Sequence, residues 1–173
     1  VEFIQKLSLM PISLSNGLNN TSKFLSIIKP KGAIITGGGN PKIKNLRYKN
    51  EINLIKYCIK FKIPILGICR GAQILNIFFG GKLVKVKNHV KKRHIIIGKV
   101  TNNEEVEVNS FHEMGFKKKH LSSKLNPLAI CPTDGVVECF DHKKQGILGI
   151  MWHPEREKKF KKFDLALIKF FFK

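Results

Sequence analysis

The sequence predicts an α/β fold with a mostly parallel central sheet, an antiparallel extension and helices on both faces. Three observations carry that expectation. Apolar runs at residues 32–36 and 65–68 alternate with helical patterns at 21–28, 51–61 and 72–79, the order in which parallel strands are joined by covering helices. From residue 83 onward the apolar runs become short and β-like, which suits antiparallel strands added to the same sheet. Residues 160–172 then close the chain with Phe160, Phe163, Leu167 and Phe170 at helical spacing, a packed terminal helix.

Taken in order, residues 1–7 read as the end of a helix and 10–14 as a short strand. Residues 21–28 form a short amphipathic helix, and 32–36 an apolar strand ending in Gly37-Gly38-Gly39-Asn40. The helix at 51–61 carries Ile52, Ile55 and Ile59 on one face. The run at 65–68 suits a buried strand, and 72–79 a helix stopped by Gly80-Gly81. Residues 83–86, 94–100, 106–108, 128–131, 136–140 and 147–152 are the short β-like runs. Repeats, linkers and low-complexity stretches are absent, so the expectation is one domain over residues 1–173.

Cys69 sits at the corner between a strand and a helix, flanked by Gly67 and Gly71. Such a corner pushes a side chain out of the sheet edge, and the glycines leave room for a tight backbone and a substrate. The start of the helix favours a thiolate, so Cys69 is expected to be more acidic than a free cysteine. A small buried core cysteine is the alternative; the two glycines favour the nucleophile. A cysteine nucleophile needs a base, and the base needs an orienting partner. His153 and Glu155 follow the last apolar run, and two residues apart in extended chain they share a side, with Pro154 stiffening the geometry. Parallel sheets carry their sites at the carboxyl ends of strands, which puts Gly37-Gly38-Gly39 beside Cys69, free to present backbone N–H groups to an oxyanion. A nucleotide-cradling loop is the competing reading of those glycines, and it lacks the lysine and hydroxyl spacing.

Together Gly67-Ile68-Cys69-Arg70-Gly71-Ala72-Gln73, Asn109-Ser110-Phe111-His112 and Met151-Trp152-His153-Pro154-Glu155 resemble the class I glutamine amidotransferases, and within them the γ-glutamyl hydrolase branch. The resemblance runs over nearly the whole chain. It implies a three-layer, flavodoxin-like fold and a cysteine-dependent hydrolase that releases glutamate from a γ-glutamyl amide through a thioester. By resemblance Cys69 is the nucleophile, His153 the general base and acid, and Glu155 the group that orients it. The amides of Gly38 and Arg70 form the oxyanion hole, with Gly39 close behind, and Gln73, Ser110, Phe111 and His112 line the pocket for the glutamyl moiety. Where relatives carry a second histidine and a glutamine, this chain has Glu113-Met114, a departure that bears on the leaving amine. The 151–157 ending, with Lys87-Asn88-His89, looks most like bacterial members of surface-polysaccharide synthesis, which implies a γ-glutamyl-CDP-amidate as substrate. A glutaminase subunit feeding a separate synthetase is the second reading, and an inactive partner- or polyanion-binding fragment the third. In the resembled family a first parallel strand precedes Val1, so the chain is expected to be an N-terminally incomplete piece.

Composition narrows the partners. A formal charge of +20 admits a polyanion, but lysine dominates it and no aromatics are interleaved to stack bases, so the charge reads as solubility and steering rather than nucleic-acid binding. Lys117-Lys118-Lys119 and the lysines at 158–162 read as solvated faces. Cys58, Cys69, Cys131 and Cys139 show no metal or disulfide spacing, which suits free thiols in a cytoplasmic protein. No apolar run approaches the roughly 20 residues of a membrane span. His89 and His94 fall across an expected loop with no acidic or cysteine partner nearby in sequence, so neither a metal nor a cofactor is expected.

Overall fold

The computed structural model describes residues 1–41 and 45–173. Helix α1 (Glu2–Lys6) and helix α2 (Thr21–Ile28) precede strand β1 (Ala33–Ile35), followed by α3 (Leu46–Lys60), β2 (Ile65–Ile68) and α4 (Arg70–Phe78). Strands β3 (Val84–Lys85), β4 (Val90–Ile96), β5 (Val106–Phe111), β6 (Met114–Gly115), β7 (Leu125–Ile130), β8 (Val137–His142) and β9 (Ile147–Ile150) come next, and α5 (Lys162–Phe171) follows them.

The main sheet has the order β1-β2-β9-β8-β7. β1, β2 and β9 run parallel, in register at Ile35↔Gly67 and Ile68↔Ile150, while β8 and β7 add antiparallel. A mixed sheet between helix layers is the expected α/β class. The three parallel strands are buried on both faces, so they read as continuous apolar runs rather than alternating ones. Within each run alternate side chains go to opposite faces. Ile65 and Ile147 join the core under α3 and α4 with Ile55, Ile74 and Leu75, whereas Leu66, Ile68, Leu148 and Ile150 pack with Phe3 of α1 and Ile168 of α5. Two cores on one sheet make the three layers.

The helices at 21–28 and 51–61 appear where periodicity expects them, although α3 begins five residues earlier, at Leu46, because the Asn45 side chain accepts the Tyr48 amide and caps it. Three expectations fail in whole or in part. Residues 10–14 form no strand; Met10 and Ile12 are 90% and 61% exposed, so no sheet neighbour holds them. The antiparallel extension is confined to β7 and β8: the run at 147–152, expected to belong to it, supplies β9, which runs parallel to β2, while β3 pairs with β6 and β4 with β5 in separate two-stranded ribbons. At the terminal helix Phe163 and Leu167, with Phe160 just before α5, pack against the core as expected, but Phe170 is 80% exposed and the most buried positions are Ile168 and Asp164, to which Trp152 donates.

Candidate active site

The register of the sheet assembles the site. β2 lies between β1 and β9, and the chain leaves all three at the same edge, so the glycine loop, Cys69 and His153 emerge side by side. Cys69 is the N-cap of α4, with φ 48° and ψ −100°, a left-handed position that few non-glycine residues adopt. Its amide donates to the Ile150 carbonyl at 2.7 Å, which locks the corner to the neighbouring strand. The flanking glycines are required by close approach. A Cβ at Gly71 would overlap the Ile35 carbonyl oxygen, and one at Gly67 would stand 2.6 Å from the Gly71 carbonyl carbon.

His153 is buried and clamped by Asn109, whose side chain accepts the His153 amide at 2.9 Å and donates to its carbonyl at 2.8 Å. Its Nδ1 lies 2.6 Å from Glu155 Oε1. The contact is the expected one, but its geometry is not. Residues 154–156 form a single 3-10 turn with Pro154 at its start, rather than extended chain, and the turn folds Glu155 back onto the ring. Gly37 completes the packing, since a Cβ there would collide with the imidazole. Phe111 meets the ring edge to face at 5.7 Å, and the Arg156 guanidinium stacks on Phe111 at 4.6 Å.

Cys69 and His153 open into one cavity of about 230 Å³ with Gly38, Gly39, Asn40, Gln73, Val90, Phe111, His112, Glu113 and Arg156. A cavity of about 300 Å³ lies at the amino ends of β2 and β9, lined by Ile59, Ile63, Ile65, Ile147 and polar groups without a nucleophile. Burial pushes the Cys69 thiol up to about 11, against the amide of Arg70, which points at the sulfur and lowers it. The expected acidic cysteine is therefore corrected. Desolvation of the thiolate exceeds the effect of the helix start, and the resting sulfur is a thiol that needs a base.

The Arg70 side chain turns away from the cavity. Its guanidinium donates to Glu51 at 2.7 Å, Glu51 also accepts from Arg47 at 2.9 Å, and Arg47 donates to the carbonyls of Thr36 and Gly37 at 2.9 Å each. This chain of contacts ties the start of α4 to the glycine loop, in which Gly38 takes φ 117° and Gly39 φ 54°. Arg47 and Glu51 are supports of the glycine loop that the sequence reading missed; their i,i+4 spacing was the available signal, hidden when the helix was expected to begin at Glu51.

Gln73 donates to the Met114 carbonyl at 2.7 Å, which leaves its Oε1 unpaired in the buried wall. Glu113 accepts from Asn40 at 2.5 Å across the cavity mouth. Ser110 is not brought to the cavity: it is fully buried, and its hydroxyl donates to the His89 carbonyl at 2.7 Å. His112 does reach the wall, but its Nδ1 faces the Met114 carbonyl at 3.1 Å and its Nε2 turns toward Glu138, at 3.5 Å. The reading that no acidic partner stands near the histidines is also corrected. His94 lies within β4 and His89 just before it, and the pairing of segments distant in sequence sets both beside Glu138 of β8.

All four cysteines are free, and among the described residues no helix is long and apolar enough to cross a membrane. A cysteine on a strand-to-helix corner, with an acid-paired histidine one strand away in a three-layer sheet, defines the class I glutamine amidotransferase-like group. Residues 1–155 match the Peptidase C26 model, and the chain belongs to that family of amide hydrolases. It is 37% identical over 154 residues to the γ-glutamyl-CDP-amidate hydrolase of Campylobacter jejuni, covering 85% of this chain and 72% of that one. Carbamoyl phosphate synthase small chain of Metallosphaera sedula is 31% identical over 127 residues, 73% of this chain and 33% of that one. In structure, a candidate GMP synthase component from Thermoplasma acidophilum superposes with a TM-score of 0.77 at 23% identity, over 99% of this chain and 83% of that chain, which shows the shared fold.

Proposed function

We propose that this chain hydrolyses a γ-glutamyl amide to glutamate and an amine, through a γ-glutamyl thioester on Cys69. The observation that carries the reading is the meeting of Cys69, at its left-handed corner, and the acid-paired His153 in one cavity. Because the buried sulfur rests as a thiol, attack begins with transfer of its proton to His153 Nε2, the nitrogen opposite Glu155. The sulfur bonds to the γ-carbonyl carbon, and the amides of Gly38 and Arg70 take the developing oxyanion. The carbon–nitrogen bond then breaks, and the amine departs with the proton from His153. Water gives a proton to the same nitrogen and adds to the thioester carbonyl. The carbon–sulfur bond breaks, glutamate leaves, and the sulfur recovers its proton. Every atom is accounted for without a cofactor.

Charge in the cavity suits an amino-acid moiety. Glu113 and the free Gln73 Oε1 accept the α-ammonium, while Arg156 meets the α-carboxylate. The Campylobacter relative acts on a nucleotide-linked γ-glutamyl amidate, and the lysine-rich chain favours a phosphorylated leaving group of that class. Glutamate release from glutamine and from a panel of γ-glutamyl amides tests the reading. Release from a phosphorylated amide, absent in Cys69→Ala, is the expected result; turnover by Cys69→Ala would overturn it. Similarity to carbamoyl phosphate synthase small chains favours one second reading, a glutaminase that hands ammonia to a synthetase. In that case only glutamine is cleaved, and a partner raises the rate.

A further inference from the structure

Four side chains that take no bond-making or proton-transfer part in hydrolysis, one of them the wall residue His112, meet in a buried cluster beside the cavity. His89 lies just before β4, His94 within it, His112 just after β5, and Glu138 in β8; one ligand atom from each lies within 4.8 Å of all the others. Glu138 Oε1 is 3.3 Å from His89 Nδ1, 3.5 Å from His112 Nε2 and 3.7 Å from His94 Nε2. These separations are too long for charge-assisted hydrogen bonds, which run about 2.7–2.9 Å. Both Glu138 oxygens, His94 Nε2 and His112 Nε2 are buried without a hydrogen-bond partner. Zinc–nitrogen bonds of about 2.0–2.1 Å in a tetrahedron set neighbouring ligand atoms roughly 3.3–3.4 Å apart, close to the spacing seen here.

The outer nitrogens settle which atoms face inward. His89 Nε2 lies 3.0 Å from Asp134 Oδ2, His94 Nδ1 3.2 Å from the Ile95 carbonyl and His112 Nδ1 3.1 Å from the Met114 carbonyl. Each of those partners is an acceptor, so in a neutral ring, the form that binds a metal, the outer nitrogen carries the N–H and the inner one presents a lone pair. Ser110 Oγ approaches His89 Nδ1 at 3.4 Å, but its proton goes to the His89 carbonyl. With the rings neutral, three lone pairs and a carboxylate face one another, in the carboxylate–histidine and carbonyl–histidine arrangement that orients metal ligands.

We propose that His89, His94, His112 and Glu138 hold one zinc ion in a closed tetrahedral site that clips the β4–β5 ribbon to β8 of the main sheet. Three imidazoles and one carboxylate suit zinc, and four protein ligands leave no open position, so the ion is structural. Its work is to hold the His112 wall of the cavity. Cys131 and Asp134 form a second group around His89, but through its other nitrogen, and Asp134 already accepts the Val136 amide.

Chelator-stripped protein titrated with zinc against a chromophoric competitor tests the site, with cobalt(II) absorption as a second readout of tetrahedral geometry. One zinc per chain is expected, with a rise in melting temperature. Affinity should fall at least tenfold to a hundredfold in His94→Ala and Glu138→Gln and stay unchanged in Cys69→Ser and Cys131→Ser. Failure of the folded wild-type chain to bind one zinc would overturn the proposal. So would loss of binding in Cys69→Ser with retention in Glu138→Gln, which would put the ion on the hydrolytic pair. None of these readouts depends on amide hydrolysis.

Discussion

At the scale of single residues, the resting state of Cys69 is set by burial. With its thiol pushed up to about 11, the free protein should be alkylated by iodoacetamide slowly at neutral pH, the rate rising roughly tenfold per pH unit toward that value. A rate already flat at pH 7 would instead show a preformed thiolate–imidazolium pair. Cys69→Ala should abolish glutamate release. Glu155→Ala should lower kcat by about 10²-fold while sparing KM, because the imidazole loses its orientation and the stabilisation of its charged form. Gly37→Ala belongs with these, as its Cβ would displace the His153 ring.

At the scale of elements, the corner between β2 and α4 depends on a contact with β1. Gly71→Ala should cost about 1–3 kcal/mol in denaturant unfolding, since the overlapping atoms are the Ile35 backbone and cannot turn aside. The seat of α5 against β9 carries a pH dependence. Burial raises the Asp164 carboxyl to about 6 from an ordinary 3.8, although Trp152 Nε1 donates to it at 2.8 Å. Its folded-state value is raised, so the folded chain holds this proton where the unfolded chain has lost it. Stability from Asp164 is therefore complete below about pH 4 and lost as pH rises to about 6, by about 3 kcal/mol. Asp164→Asn keeps the acceptor for Trp152 and should be more stable than wild type at pH 8, with the advantage gone at pH 4. Equal stabilities at both pH values would refute the buried-acid account.

At the scale of the whole molecule, a formal charge of +20 should act on encounter rates. For a phosphorylated γ-glutamyl amide kcat/KM should fall as ionic strength rises, with little change for zwitterionic glutamine. Fold and site were legible in the sequence to different depths. The elbow at Cys69 was legible because the glycine–cysteine–glycine spacing is a local demand of a strand-to-helix corner, and the parallel pairing of β1 with β2 because both read as apolar runs between helices; the parallel place of β9, expected in the antiparallel extension, was not. The Arg70–Glu51–Arg47 support was not, because it joins α3, α4 and the glycine loop through side chains far apart in the chain. Nor could periodicity separate the β4–β5 and β3–β6 ribbons from the main sheet, since pairing partners leave no local signature.

By itself the sequence determined what depends on neighbours in the chain: the strand-to-helix corner, the alternation of apolar runs and helices, and the placing of His153 two residues from Glu155. Only the tertiary structure decided what depends on separation in space. It pushed the Cys69 thiol up rather than down, because burial costs an ion more than the helix start returns. It turned Ser110 away from the cavity and gathered three histidines around Glu138, because pairing β4 with β5 and packing them on β8 fixes which faces meet.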